Sequence, residues 1–332
     1  MISGTGPEDE RNDMKYIDKL KDGMHVSDVY LCKQKTIALT KNGKEYGNLL
    51  LQDKTGQIES KIWDLHNPGI RDFDAMDYVY VEGNVTVFNN ANQLNILRIQ
   101  RAPEGSYDQS DYFPVSSKNI DDMYKELTGI IASVKELHLK QLLMSFFMDD
   151  KAFARRFKSH SAAKSVHHGF IGGLLEHTLS VTRLCDTAAK HYPFLNRDLL
   201  ISGAMLHDIG KTRELSAFPQ NDYTDAGQLL GHIIIGSQMV EEHMAAIDGF
   251  PERLHNELIH LILSHHGELE FGSPKKPALI EAMVLSMMDN LDAKVETMYE
   301  ALSTKAPQND SGFIGFNKLI DSNLRKTDGA SY

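Results

Sequence analysis

Residues 203–211 read GAMLHDIGK. Leu200, Ala204 and His207 fall at helical spacing, so the periodicity places His207 on the stripe that a core-facing helix buries. An imidazole and the adjacent Asp208 carboxylate are costly in such a place unless they are paired or hold a metal. Gly210 follows the periodic run 199–207 and is expected to stop that helix.

Four further stations on either side repeat the pattern: His177 in GGLLEHTLSV (172–181), His232 in LLGHIIIG (229–236), His265 and His266 in ILSHHG (262–267), and Asp289 in LSMMDNLDAK (285–294). Each lies in or at the end of an apolar helical run; Leu258, Leu261, Ile262 and His265 keep the spacing of one buried stripe. One histidine on an apolar face is ordinarily a hydrogen-bonded core residue. An ordered series H…HD…H…HH…D, carried by separate helices able to converge in one bundle, points to a metal site instead. Nitrogen and carboxylate donors without cysteine suit Mn²⁺, Fe²⁺, Co²⁺ or Zn²⁺, with Mg²⁺ in competition. A shared aspartate can bridge two such cations, and a cation pair activates water and clamps a phosphate oxygen, the requirements of phosphoester hydrolysis.

The front of the chain has a different rhythm. Residues 47–63, GNLLLQDKTGQIESKIW, read as a hairpin turning at Asp53-Lys54-Thr55-Gly56. Residues 78–88 and 93–99 form a second pair around Asn89-Asn90-Ala91-Asn92, and a strand is expected near 24–31. About five short strands without a long helix suit a small closed barrel of the OB type. Residues 102–116, APEGSYDQSDYFPVS, lack periodicity and read as linker; beyond them the period becomes 3.6, with one or two helices over 120–143.

The expected fold is thus two-domain, β then α: a disordered leader over 1–13, the OB-type barrel over 14–105, linker and connecting helices over 106–160, an all-α metal-binding bundle over 161–302, and a tail over 303–332. In the tail, Phe313, Phe316, Leu319 and Ile320 are candidates to dock locally. Along 58–63, Ile58, Ser60 and Ile62 share one face of the strand and Glu59, Lys61 and Trp63 the other. Cations that track phosphates and aromatics that stack bases make Lys44, Tyr46, Lys61 and Trp63 the nucleic-acid candidates; Trp63 could equally close the barrel bottom.

A length of 332 residues accommodates two cores, and the net charge of −11 argues against coating nucleic acid by bulk electrostatics while leaving room for a local groove. The two cysteines, Cys32 and Cys185, are far apart, and the polar N-terminal stretch has no apolar leader. A cytoplasmic protein without membrane segments or disulfide framework is therefore expected.

The histidine–aspartate series resembles the HD superfamily of metal-dependent phosphohydrolases. Together with the LLLQDKTGQIESKIW segment in front, the contexts quoted above look like the YhaM-type 3′-to-5′ exoribonucleases of bacteria, over about residues 16–302. Carried over, the resemblance implies that His177, His207, Asp208 and Asp289 form one metal site and that Asp208 bridges to a second, completed by His232, His265 and His266. It also implies two divalent cations, Mn²⁺ foremost, and single-stranded RNA as substrate, with single-stranded DNA as an extension. Asp292 is expected to support a ligand rather than be one. Lys211 is either a cation beside the scissile phosphate or a charge favoured at a helix end. His167 and His168 are candidates for the substrate mouth. Because HD sites also serve cyclic nucleotides, cyclic dinucleotides and dNTPs, a small-molecule phosphodiesterase is the rival reading, and a nucleotide- or metal-sensing module a more distant one. A homo-oligomer is left open.

Overall fold

The computed structural model describes residues 14–164, 169–304 and 311–329. The chain divides into two compact units, Met1–Pro114 and Val115–Tyr332.

In the first unit, β1 (His25–Leu39), β2 (Glu45–Asp53), β3 (Gly56–Ile62), β4 (Tyr78–Phe88) and β5 (Ala91–Arg101) close into a barrel in the order β1-β2-β3-β5-β4. The β3–β5 pairing is parallel and the other neighbours are antiparallel, which is the OB arrangement. Val26, Leu51, Ile58, Val81, Leu94 and Ile99 fill the interior. The first hairpin turns where expected, because the Asp53 carboxylate accepts from the backbone N–H groups of Thr55 and Gly56. The second is tighter than its asparagine run implied. Asn89 and Asn90 alone form the turn, both left-handed at φ 49° and 63°, as a two-residue type I′ hairpin demands.

The first strand runs well past residue 31. Its polar extension pairs with β2 across a register shift between Cys32 and Gln34; such a bulge breaks the alternation by which the strand would be read. Residues 106–114 pack onto the barrel: Tyr107 stacks on Tyr78 at 3.9 Å, and the Tyr112 hydroxyl donates to the Val29 carbonyl.

The second unit is helical: α1 (Ile120–Ala132), α2 (Leu137–Met144), α3 (Lys151–Ser159), α4 (Gly173–His191), α5 (Arg197–Leu206), α6 (Lys211–Glu214), α7 (Asp225–Met244), α8 (Glu252–Ser264) and α9 (Ile280–Thr304). The central helix α4 packs against α5 and α9, with α8 against α5, α7 and α9. Their shared core includes Leu175, Leu179, Leu200, Ala204, Leu261 and Leu285. Gly210 ends the α5 region without becoming left-handed, at φ −59°. Its need is for space: a Cβ there would lie 2.0 Å from the His232 carbonyl oxygen and 2.6 Å from the Gly236 nitrogen.

After α9, β6 (Phe313–Asn317) and β7 (Ser322–Arg325) form a hairpin. Ile314 and Leu324 seat it on Leu302, with Ile320 partly buried, whereas Phe313, Phe316 and Leu319 stay exposed. Strand alternation thus selects a different apolar set from the one hydrophobicity picked out. Among the described residues no helix is long and apolar enough to cross a membrane.

Candidate functional site

The residues at the five stations meet in the helical unit. His177 comes from the second turn of α4, His207 and Asp208 from the end of α5, His232 from α7, His265 and His266 from the end of α8, and Asp289 from α9. The ligand-type atoms of His177, His207 and Asp289 all lie within 4.8 Å of one another, as do those of His232, His265 and His266. Asp208 stands between the groups. Its Oδ2 is 3.5 Å from His177 Nε2 and 3.4 Å from His207 Nε2; its Oδ1 is 3.5 Å from His232 Nε2 and 3.8 Å from His265 Nε2.

Partners on the outer ring nitrogens aim these imidazoles. The Nδ1 atoms of His207, His265 and His266 lie 2.8, 2.7 and 2.8 Å from the carbonyl oxygens of Ala204, Ile262 and Phe271. A carbonyl can only accept, so each Nδ1 carries the proton and each Nε2 of the neutral ring keeps its lone pair. His177 Nδ1 is held at 2.8 Å by the Asp292 carboxylate, which also takes a hydrogen bond from the Ser180 hydroxyl. His232 Nδ1 lies 3.2 Å from Glu214 Oε1.

The aim of His232 depends on a break in α7. Gly231 adopts φ 74°, outside helical geometry, and the helix restarts at the histidine. The freed His232 N–H donates to Glu214 Oε1 at 2.9 Å, so one carboxylate caps the new helix start and braces its first ring. Glu214 was not singled out from the sequence. It sits in a four-residue helix too short to show a period, and only the glycine before His232 gave a local signal.

The electrostatics of the two groups differ. Burial disfavours the charged His177 ring, but its bonds to Asp289 and Asp292 and the charge of Asp208 prevail and push it up to about 10. Burial likewise opposes the charges of Asp208 and Asp289, yet the cations and imidazoles around them hold both carboxyls below the usual range. His265 and His266 go the other way: burial, then repulsion from neighbouring imidazoles, pushes both down. Lys211 Nζ donates to Asp208 Oδ2 at 2.6 Å, and that carboxylate outweighs burial to hold the lysine in its charged form.

Among the described residues, three buried polar atoms around the centre have no hydrogen-bond partner: Asp208 Oδ1, His232 Nε2 and His265 Nε2. Buried donors and acceptors are seldom left this way. One carboxylate oxygen and two imidazole nitrogens converging without partners are what a divalent cation satisfies, so the residues present fit a metal. Beside them opens a cavity of about 510 Å³, which Lys211, Phe271, Ser286 and Asn290 line together with His177, Asp208, His265, His266 and Asp289. Phe271, exposed at its rim and 64% accessible, is a further residue the sequence pattern did not mark. His167 and His168 lie outside the described residues.

In the barrel unit, Tyr46 and Trp63 stack at 5.2 Å between ring centroids, and Lys61 Nζ lies 5.5 Å from the Tyr46 ring. Lys61 is held by Asn48 Oδ1, and the Trp63 indole N–H donates to Asn95 Oδ1. The alternation read along 58–63 holds, since Ile58, Ser60 and Ile62 are buried. Trp63 is 48% exposed on the outer face, so it does not plug the barrel. Lys44 stands in the β1–β2 turn, one residue before β2 and two before Tyr46.

A family model described as "HD domain" matches residues 174–294. The 3′-5′ exoribonuclease YhaM of Bacillus velezensis is 37% identical over 288 residues, covering 86% of this chain and 90% of that protein. The protein of the same name from a Geobacillus strain is 37% identical, covering 84% and 86%. Among solved structures, the second OB-fold domain of replication protein A from Methanococcus maripaludis is 20% identical with a TM-score of 0.22, covering 28% of this chain and 96% of its own. Similarity at the level of the two bacterial proteins, running through both units, establishes that the chain belongs to the family of the YhaM 3′-5′ exoribonucleases.

Proposed function

We propose that the chain is a cytoplasmic, metal-dependent exoribonuclease that shortens single-stranded RNA from its 3′ end and releases nucleoside 5′-monophosphates, with single-stranded DNA as a second polymer. Membership of the family makes it a phosphodiester-hydrolysing enzyme. The observation that carries the finer reading is the trio of unpartnered atoms around Asp208, which lies on the wall of a cavity roomy enough for a nucleotide.

In this reading His177, His207, Asp208 and Asp289 hold one divalent cation and Asp208, His232, His265 and His266 a second, with Mn²⁺ the first choice and Fe²⁺, Co²⁺ or Zn²⁺ as alternatives. When bound, the ions supply a nucleophilic water at neutral pH and positive charge for the phosphoryl oxygens. In the hydrolysis, the water oxygen bonds to phosphorus and the P–O3′ bond breaks; the phosphate stays on the departing nucleoside, and the new 3′-hydroxyl takes up the proton. Lys211, steered by Asp208, places a fixed cation at the cavity wall where negative charge grows on the phosphoryl group. Phe271 offers an aromatic face to the terminal base, and Tyr46, Lys61 and Trp63 offer stacking and charge to the strand.

The test is a 5′-labelled oligoribonucleotide incubated with the protein and Mn²⁺. A ladder that shortens from the unlabelled end, stops on chelation, and is absent for Asp208→Ala is the expected result. Hydrolysis of cyclic nucleotides or dNTPs with the oligonucleotide left whole would overturn the exonuclease reading in favour of the small-molecule one.

A further inference from the structure

The metal-site helix α9 has a second face that the catalytic reading leaves unused. Asp289 and Asp292 look into the bundle. About half a turn round the helix, Ile280, Met283, Met287, Leu291, Val295 and Met298 follow one another at intervals of three and four residues. Such spacing draws a straight apolar stripe along five turns. These side chains are between 36% and 58% exposed, and Tyr299 beside them is 49% exposed. Weighted by exposure, the stripe together with Tyr299 offers roughly 600 Å² of mainly apolar surface, at the top of the ~300–600 Å² range for the largest patch on an ordinary monomer and approaching the ~800 Å² each partner contributes to a standard interface.

The charge pattern narrows the occupant. In a chain of net charge −11, every exposed position of α9 from 280 to 299 is apolar except Asn290 and Lys294, and none is acidic. A single lysine is too little for a phosphate backbone, and a helix that lies on a membrane carries basic residues along its polar face. Two strongly acidic copies of the same chain, by contrast, can approach closely only where carboxylates are missing. At the far end of the stripe the chain covers Leu302 with its own hairpin, through Ile314 and Leu324, and leaves the preceding turns open.

We propose that this face of α9 is where a second copy of the chain packs, the two helices crossing antiparallel about a two-fold axis near Leu291. In that arrangement Leu291 meets its counterpart, Met287 meets Val295 of the other copy, and Met283 meets Met298, a self-complementary pairing of the kind a two-fold axis requires. The inference stands on the exposed face alone and does not depend on which phosphodiester the site cleaves.

Light scattering on the full chain at micromolar concentration is expected to give twice the chain mass. Leu291→Glu sets two carboxylates against each other across the axis and is expected to halve the mass, whereas Leu229→Glu, at an 82%-exposed position on α7, is not. Leu291→Cys is expected to yield a covalent dimer under oxidising conditions, because Cys32 and Cys185 are both buried and leave the new thiol as the accessible one. A monomeric wild type would overturn the proposal. So would an assembly that Leu291→Glu leaves intact and Leu291→Cys fails to cross-link. If the glutamate variant does not fold, the cross-linking result decides alone.

Discussion

The cluster of His177, His207 and Asp289 contains a carboxylate and has another, Asp292, directly behind it; the cluster of His232, His265 and His266 is all imidazole, with Glu214 behind one ring. In the first, carboxylates outweigh burial and make His177 a good proton acceptor, so the cluster neutralises itself when no cation is bound. In the second, burial and mutual repulsion drive His265 and His266 towards the neutral form, leaving lone pairs without protons. On the proposal that each cluster holds a cation, one entering the first would compete with the proton on His177, while one entering the second would satisfy the unpartnered nitrogens of His232 and His265. Asp208 faces both, its Oδ2 towards His177 and His207 and its Oδ1 towards His232 and His265, and is the point at which the two meet.

Removing that shared point should have the largest effect. Asp208→Ala is expected to lower RNA hydrolysis by about a thousand-fold or more, with the helical circular dichroism kept; measurable loss from one cluster alone, seen as one retained metal equivalent with near-normal turnover, would show that the clusters work separately. Lys211→Met comes next. Turnover should fall about 100-fold while metal content stays unchanged, since in the proposed reaction the lysine acts on the phosphate and ligates nothing. A variant depleted of metal would place Lys211 among the supports of the clusters instead.

The carboxylates behind the rings allow the contrast to be read one side at a time. Asp292→Asn and Glu214→Gln should each weaken metal binding by about 10–100-fold, the first at the carboxylate-bearing cluster and the second at the imidazole one. Calorimetric titrations resolve this as loss of different binding steps, and loss of the same step in both variants would erase the distinction. The smallest change is Gly231→Ala. The backbone there, at φ 74° and ψ 159°, lies in an extended positive-φ region open essentially to glycine, so the alanine should cost about 1–3 kcal/mol in chemical denaturation, and the accompanying tilt of His232 should weaken the imidazole cluster and spare the other.

Much of this centre is legible from the chain because burying an imidazole leaves a trace. A histidine at the core-facing position of an apolar helix contradicts its neighbours, and His177, His207, His232 and His265 each do so. Asp289 is visible for the same reason. The barrel is legible in its hairpins, where alternation and turn residues agree, as along 47–63. What escaped depends on approach between distant segments. Glu214 is an ordinary exposed-looking acid until α6 is laid against the broken α7. Phe271 looks like any loop aromatic until its turn closes over His266. The length of β1 was hidden by a bulge, and the tail hairpin by a choice of inward residues that only pairing can make.

Gly210 carries a further consequence. Because a methyl group there would collide with the His232 carbonyl at 2.0 Å, the gap between the His207-Asp208 pair and α7 contains no adjustable part. An alanine would act as a wedge, and a displacement of about 1 Å is enough to spoil a catalytic arrangement. A relative could therefore keep every metal ligand and still be inert. Judging such chains by their histidines and aspartates alone would miss the lesion; the hydrogen atom standing in for a side chain at this position is as telling as any ligand.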